Sequence, residues 1–337
     1  MRAFVITGPR QGRVVDVAEP APGPGQVVVD VEAVGVCGTD LELFAGTMPY
    51  LADGLAAYPL RPGHEWAGMV AAVGAGVGAD LVGVRVTGDT MLGCGRCARC
   101  RSGRHHVCAD RFEIGIRGGW PGALAERLPV PAGALRRLPA GMPASTGALV
   151  EPGGCALRAV DAAGARAGRR LLVYGTGTLG LLAAQFALAR GAVVEVVGLV
   201  AASLELARRL GVNAAHGADE PLGGGYDAVI DATNSPAVPA SILRQVEPAG
   251  RVVLVGLAER PSVADLREVV LNDLTVVGIL GASAGLDGAV ELLAGGRVQT
   301  QPLIAATVSL EEVADVLGGS RPGRDGPAPK VQVDPRR

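Results

Sequence analysis

Leu171-Leu172-Val173-Tyr174-Gly175-Thr176-Gly177-Thr178-Leu179-Gly180 opens with four residues of strand character, closes on Gly-x-Gly-x-x-Gly, and is followed by apolar residues at helical spacing, Leu182, Ala183, Phe186 and Ala187. The order is strand, tight turn, helix. In that order Gly175 permits the turn, Gly177 lets a pyrophosphate approach the backbone, and Gly180 lets helix and strand pack closely. The unpaired N–H groups at the helix start then face the phosphates. In a chain with 51 glycines the bare pattern would also fit an ordinary strand-to-helix turn. The strand before it and the helix after it favour a dinucleotide site formed by Gly175, Thr176, Gly177, Thr178, Leu179 and Gly180.

Downstream, strand candidates at 193–197, 228–233, 251–256 and 274–279 alternate with helical patterns at 202–210, 236–246 and 266–270. Such alternation predicts a doubly wound parallel sheet of the α/β class. Upstream, short alternating runs at 3–6, 13–17, 26–34, 66–73 and 124–130 are broken by Gly and Pro, which predicts a small β barrel or sandwich. The texture turns helical near Gly147. Beyond Gly281 a helical stretch at 286–293 and strand-like runs at 306–310 and 331–333 do not extend the alternation, so they are expected to rejoin the first domain. The expected domains are therefore 1–146 with 282–337, and 147–281. Residues 318–329, rich in Gly, Pro and Arg, are expected to form a mobile loop.

A length of 337 residues suits two cores. With 19% charged residues and a net charge of −2, nothing argues for a nucleic acid or an anionic membrane as partner. The opening MRAFVITGPR reads as a strand, without the sustained apolar segment of a leader. No apolar run is long enough to span a bilayer, so the mean hydropathy of +0.33 reflects well-buried Ala, Val, Leu and Gly. Six cysteines, four of them between Cys94 and Cys108, suit thiolate ligation in a reducing cytoplasm better than a disulfide framework.

Cys94-x2-Cys97-x2-Cys100-x7-Cys108 can close a tetrahedral thiolate shell around zinc, and a full shell leaves no position for substrate, so its role is structural. His105 and His106 could replace Cys108 as ligand, but are expected in solvent. A second set is dispersed: Cys37 in Cys37-Gly38-Thr39-Asp40, His64 and Glu65 in Gly63-His64-Glu65, and Glu151 before Pro152. One thiolate, one imidazole and one or two carboxylates would make the mixed, incomplete shell that a catalytic zinc requires. Taken singly, Cys37 reads equally as a buried hydrophobe and His64 as a core histidine.

Gly63-His64-Glu65-x2-Gly68-x5-Gly74-x2-Val77 resembles the zinc-site signature of the zinc-dependent medium-chain alcohol dehydrogenases. The Cys37–Asp40 turn, the four-cysteine lobe and the Gly175–Gly180 turn are similar to that family in the same chain order, over essentially the full length. The resemblance implies a GroES-like β-barrel catalytic domain, a Rossmann domain with parallel sheet, an active site in the cleft, and a homodimer or homotetramer. It implies two zinc ions, with Cys37, His64 and either Glu65 or Glu151 at the catalytic one, and NAD or NADP as hydride acceptor. The ion would lower the pKa of a substrate hydroxyl, Thr39 would pass its proton onward, and Asp40 would accept from the second nitrogen of His64. Thr39 and Asp40 also fit a helix cap.

Three departures stand out. Glu42 occupies the position where many relatives carry a proton-relaying histidine. Gly198, where NAD-selective folds place a carboxylate, offers neither that group nor a positive charge, and Ser203 is the next polar side chain in reach. Thr90 stands where simple-alcohol dehydrogenases carry a bulky apolar residue. Together with Glu42 and Glu151 it points to a polyol or amino polyol, and the pattern resembles dehydrogenases of aminocyclitol antibiotic pathways, which implies a substrate such as 2-deoxy-scyllo-inosamine. Sorbitol-, glucose- and threonine-type dehydrogenases are the alternative readings, as is a zinc-free quinone or enoyl reductase.

Overall fold

The computed structural model describes every residue except 259, 321, 324 and 325. The chain divides into two compact units, one built on Met1–Glu151 with the C-terminal strands, the other on Pro152–Leu303.

The first unit is organised around strand Gln26–Gly35, whose valines supply much of the core together with Trp66, Leu128 and Val333. It pairs antiparallel with Glu65–Val73 along one edge, and with Arg127–Pro131 and Lys330–Val333 along the other. Register here matters for function. Gly35 lies opposite both Glu65 and Gln332, so the residues just past Gly35, just before Glu65 and at the start of the last strand meet at one end of the sheet. That brings Cys37, His64 and Lys330 together. Strands Arg2–Gly8 and Gln11–Asp16 form a separate antiparallel hairpin.

In the second unit six strands among the described residues pair in parallel in the spatial order third, second, first, fourth, fifth, sixth. Arg170–Tyr174 and Tyr226–Asp231 stand at the centre, so the glycine turn after Tyr174 sits where the strand order reverses, the place at which open α/β sheets bind ligands. The strands, covered on both faces, are apolar runs such as Leu171, Leu172 and Val173 rather than alternating ones.

Several expectations shift. The helix expected over 236–246 is only Val238–Ile242, because Val246 opens strand Val246–Leu254. Strand Ala214–Gly217, which the sequence reading did not anticipate, pairs along Val193–Gly198. The helix Leu286–Ala294 lies in the second unit, where Gly288 makes room for Leu157 and Ala289 packs over Gly153. The boundaries thus fall at Glu151 and Leu303, against the expected 146 and 281. The loop expectation at 318–329 extends over residues outside the described set; its described residues form neither helix nor strand.

Candidate active site

Cys37 ends the run from strand Gln26–Gly35 and caps helix Gly38–Ala45. Asp40, on the first turn of that helix and fully buried, ties two segments together: Oδ2 accepts from the Cys37 N–H at 2.9 Å and Oδ1 from the Gly63 N–H at 3.1 Å. Gly63 holds φ +98°, and a Cβ there would sit 2.8 Å from the Leu124 nitrogen, so only glycine suits this approach to His64. His64 Nδ1 stands 3.6 Å from Asp40 Oδ1, longer than a hydrogen bond but close for an ion pair. Burial opposes charge on both groups. Without a metal each nevertheless favours its charged form: the pKa of Asp40 is lowered by His64 and the two N–H groups, and that of His64 is raised by Asp40 and by the Cys37 thiol, whereas a bound zinc takes His64 as the neutral imidazole.

Ligand atoms of Cys37, His64 and Glu65 lie within 4.8 Å of one another, a thiolate, imidazole and carboxylate set that fits zinc. Glu65 has a second partner. Its Oε2 accepts from Lys330 Nζ at 2.6 Å, and the same ammonium donates to the Val36 carbonyl at 2.9 Å; both side chains are buried. Glu151 lies outside the close group but within its field. Burial raises its pKa to about 7, with Glu65 and Asp89 adding to the rise and His64 and Lys330 opposing it. Thr39 and Glu42 are half-buried on the helix that Cys37 caps. Thr90, expected to line the substrate space, is buried and donates its hydroxyl to the His64 carbonyl at 3.3 Å.

In the lobe, Cys97 and Cys108 sulfurs are 3.7 Å apart and Cys94 and Cys100 sulfurs 4.0 Å apart. A tetrahedron with Zn–S near ~2.3 Å has an edge of about 3.8 Å, so the four thiols are spaced for zinc. Backbone N–H groups of Arg96 and Cys97 pull the Cys94 thiol down to about 6. Of the two histidines expected in solvent, His106 is buried, and His105 Nε2 meets Asp89 Oδ2 at 2.7 Å. Asp89, whose Oδ1 caps the Met91 N–H, thereby links the lobe to the residue next to Thr90.

The glycine turn expected to face a dinucleotide lies in the second unit. Gly175 holds φ +106°, and a Cβ on Gly180 would come within 1.9 Å of the Gly175 carbonyl, while the Cβ position of Gly177 faces open space. Thr178, Leu179 and Gly180 form the first turn of helix Thr178–Ala189, with Gly177 at its cap. Gly198 ends its strand, and a Cβ there would lie 2.7 Å from both Thr176 Cγ2 and Oγ1. Ser203 donates to the Pro327 carbonyl at 3.4 Å.

Lys330 and Asp89 were not singled out by the sequence reading. Lys330 is 265 positions from Glu65 and stands in a short Lys-Val-Gln-Val strand with no motif around it.

Residues 23–140 match the alcohol dehydrogenase GroES-like domain, and residues 178–295 match the zinc-binding dehydrogenase domain. The chain is 31% identical to 2-dehydro-3-deoxy-L-galactonate 5-dehydrogenase of Pseudoalteromonas atlantica over 94% of both chains. It is 31% identical to sorbitol dehydrogenase of Halalkalibacterium halodurans over 93% of this chain and 94% of that one. A zinc-binding dehydrogenase of Sinorhizobium meliloti 1021, solved with NADP, superposes with a TM-score of 0.91 at 30% identity over 99% of each chain. The chain belongs to the zinc-dependent medium-chain alcohol dehydrogenase family. It is an NAD(P)-dependent enzyme of the class acting on CH–OH groups, with four cysteines for a structural zinc and Cys37, His64 and Glu65 for a catalytic one.

Proposed function

We propose that the enzyme oxidises a secondary hydroxyl of a polyhydroxylated substrate, a polyol or an aminocyclitol such as 2-deoxy-scyllo-inosamine. The observation that carries this reading is Glu151, a buried carboxyl beside the Cys37, His64 and Glu65 group in a field of further acids. A substrate that brings hydroxyls or an ammonium can hydrogen-bond to such a carboxyl, which an alkyl chain cannot do. Thr90 is buried with its hydroxyl donated to the His64 carbonyl, so it is not offered to a substrate.

When bound, zinc supplies a Lewis acid that lowers the pKa of a hydroxyl, and the dinucleotide supplies the hydride acceptor. Cys37 and His64 hold the ion, with Glu65 or Glu151 completing its shell. Asp40 fixes the ring of His64, and the Lys330 ammonium holds Glu65 in place. Thr39, on the turn after Cys37, receives the hydroxyl proton, and Glu42 lies one helical turn along the route to solvent. Gly175 to Gly180, with Gly198 and Ser203 near the ribose end, hold the dinucleotide.

The test compares kcat/KM for an aminocyclitol, its deaminated analogue, sorbitol, L-threonine and an unbranched primary alcohol. Preference for the aminocyclitol, reduced in Glu151→Gln, is expected. Better use of the primary alcohol rejects the polyol reading, and equal use of the aminocyclitol and its deaminated analogue rejects the amino polyol.

We also propose a homo-oligomer in the cytoplasm. Strand Thr275–Gly278 is an edge of the parallel sheet, and Leu266, Val270 and Leu271 nearby in sequence are exposed large apolar residues. Unpaired edges and apolar faces of this kind are sites of association. Light scattering of the wild type and of Val270→Glu separates a dimer or tetramer from a monomer. No helix among the described residues is long and apolar enough to cross a membrane.

A further inference from the structure

Two cations of the first unit with little exposed side chain come with carboxylates: Lys330 has Glu65, and Arg111 has Glu113 at 2.7 Å. Arg61 does not. It is half-buried, its Nε is sealed from solvent, and neither a hydrogen-bond acceptor nor an acid among the described residues meets its guanidinium. Burial lowers its pKa to about 10, which still leaves it charged at neutral pH.

The side chain lines a cavity of about 420 Å³ whose other walls include Val5, Val15, Leu60, Ile116 and Trp120. Cys37, His64, Glu65 and Glu151 are not among the lining residues, so the cavity is separate from the metal group. Apolar walls around one cation define an occupant with one negative charge and an apolar body. We propose that this cavity binds a monocarboxylate carrying a compact apolar group, with the carboxylate paired to Arg61 and the apolar group against Trp120, Ile116 and Val15. A guanidinium matches a carboxylate fork to fork. A phosphate dianion fits less well, because its second charge would enter the apolar cavity without a partner.

The probe is phenylacetate, titrated into the full-length zinc-loaded protein by calorimetry and tryptophan fluorescence. The chain has two tryptophans, and Trp66 is fully buried in the core while Trp120 lines the cavity, so a fluorescence change reports on Trp120. Saturable binding is expected, with phenylacetamide and phenyl phosphate weaker by at least about tenfold. Phenylacetate should raise the melting temperature of the wild type. Arg61→Met should lose that response while its ligand-free melting temperature stays close to that of the wild type. Arg61→Lys should bind more weakly than wild type but above Arg61→Met. Equal binding of acid and amide, tighter binding of phenyl phosphate, undiminished binding by Arg61→Met, or no saturable binding by wild type each overturns the proposal. If Arg61→Met fails to fold, the three-ligand comparison on the wild type decides alone.

Discussion

The four-cysteine lobe and the mixed Cys37, His64 and Glu65 group both gather metal-ligating side chains in the first unit, but they are assembled differently. The lobe takes all its thiols from one stretch, 94–108, so its geometry is nearly a local property of the chain. The other group exists only when strand Gln26–Gly35 pairs in register with Glu65–Val73 and with Lys330–Val333. Removing a ligand should therefore do opposite things at the two places. The lobe has little packing of its own, since Cys94, Cys97 and Cys100 are only half-buried. The metal is its core.

The largest expected effect tests this contrast. Cys37→Ala should lower kcat/KM by about a thousandfold or more, ~4 kcal/mol, with the melting temperature little changed, because the sheet that holds the site remains intact. Cys97→Ser should instead lower the melting temperature and open 94–108 to proteolysis. If the two variants lose stability equally, the distinction between a locally closed lobe and a sheet-assembled site is wrong.

Next in size is the buried pair that the sheet creates. Lys330→Met strands the Glu65 carboxylate and should cost about 3–5 kcal/mol in urea unfolding of zinc-free protein. The double variant Lys330→Met with Glu65→Leu should recover most of that stability without recovering activity. Failure of the double variant to recover would mean that Lys330 acts through the Val36 carbonyl rather than through Glu65.

The same contrast explains what was legible in the sequence. Spacing alone exposed the lobe and the Gly175–Gly180 turn, because their geometry is fixed within a few residues. Cys37, His64 and Glu65 were joined only by resemblance, and Lys330 not at all, because register between distant strands leaves no local trace. The strand Ala214–Gly217 was missed for a related reason: Ala-Ala-His-Gly has no β-branched residue, and pairing along Val193–Gly198 overrides its weak propensity. His105 read as solvated, since nothing nearby in sequence announces that Asp89 will meet it.

Glu151 offers a smaller effect with a definite sign. Its carboxyl is near 4.5 in the unfolded chain and about 7 in the folded one, mainly through burial. Between those values only the folded state holds the proton, so unfolding releases it and stability falls as pH rises, levelling off above about 7. In zinc-free protein the full span amounts to about 3 kcal/mol. Glu151→Gln should remove this slope in urea midpoints taken from about pH 5 to about pH 8. An unchanged slope would assign it to another buried acid.

The smallest expected effect concerns the second unit and the cofactor. Gly198 offers no carboxylate for a ribose hydroxyl and no charge against a phosphate, so NAD and NADP should be accepted with modest discrimination. Gly198→Asp should move preference toward NAD, but the structure adds a condition, because its Cβ would press on Thr176 at 2.7 Å. The single variant must therefore displace a side chain of the phosphate turn, and should weaken both cofactors as well as change their ratio. Thr176→Ala with Gly198→Asp removes the clash and should show the ratio change alone, about tenfold or ~1.4 kcal/mol toward NAD. Cofactor Kd values for the wild type, the two single variants and the double variant form a closed cycle. A double variant that keeps the wild-type ratio would place the ribose away from the end of strand Val193–Gly198, and would leave Ser203 and its bond to Pro327 as the next position to examine.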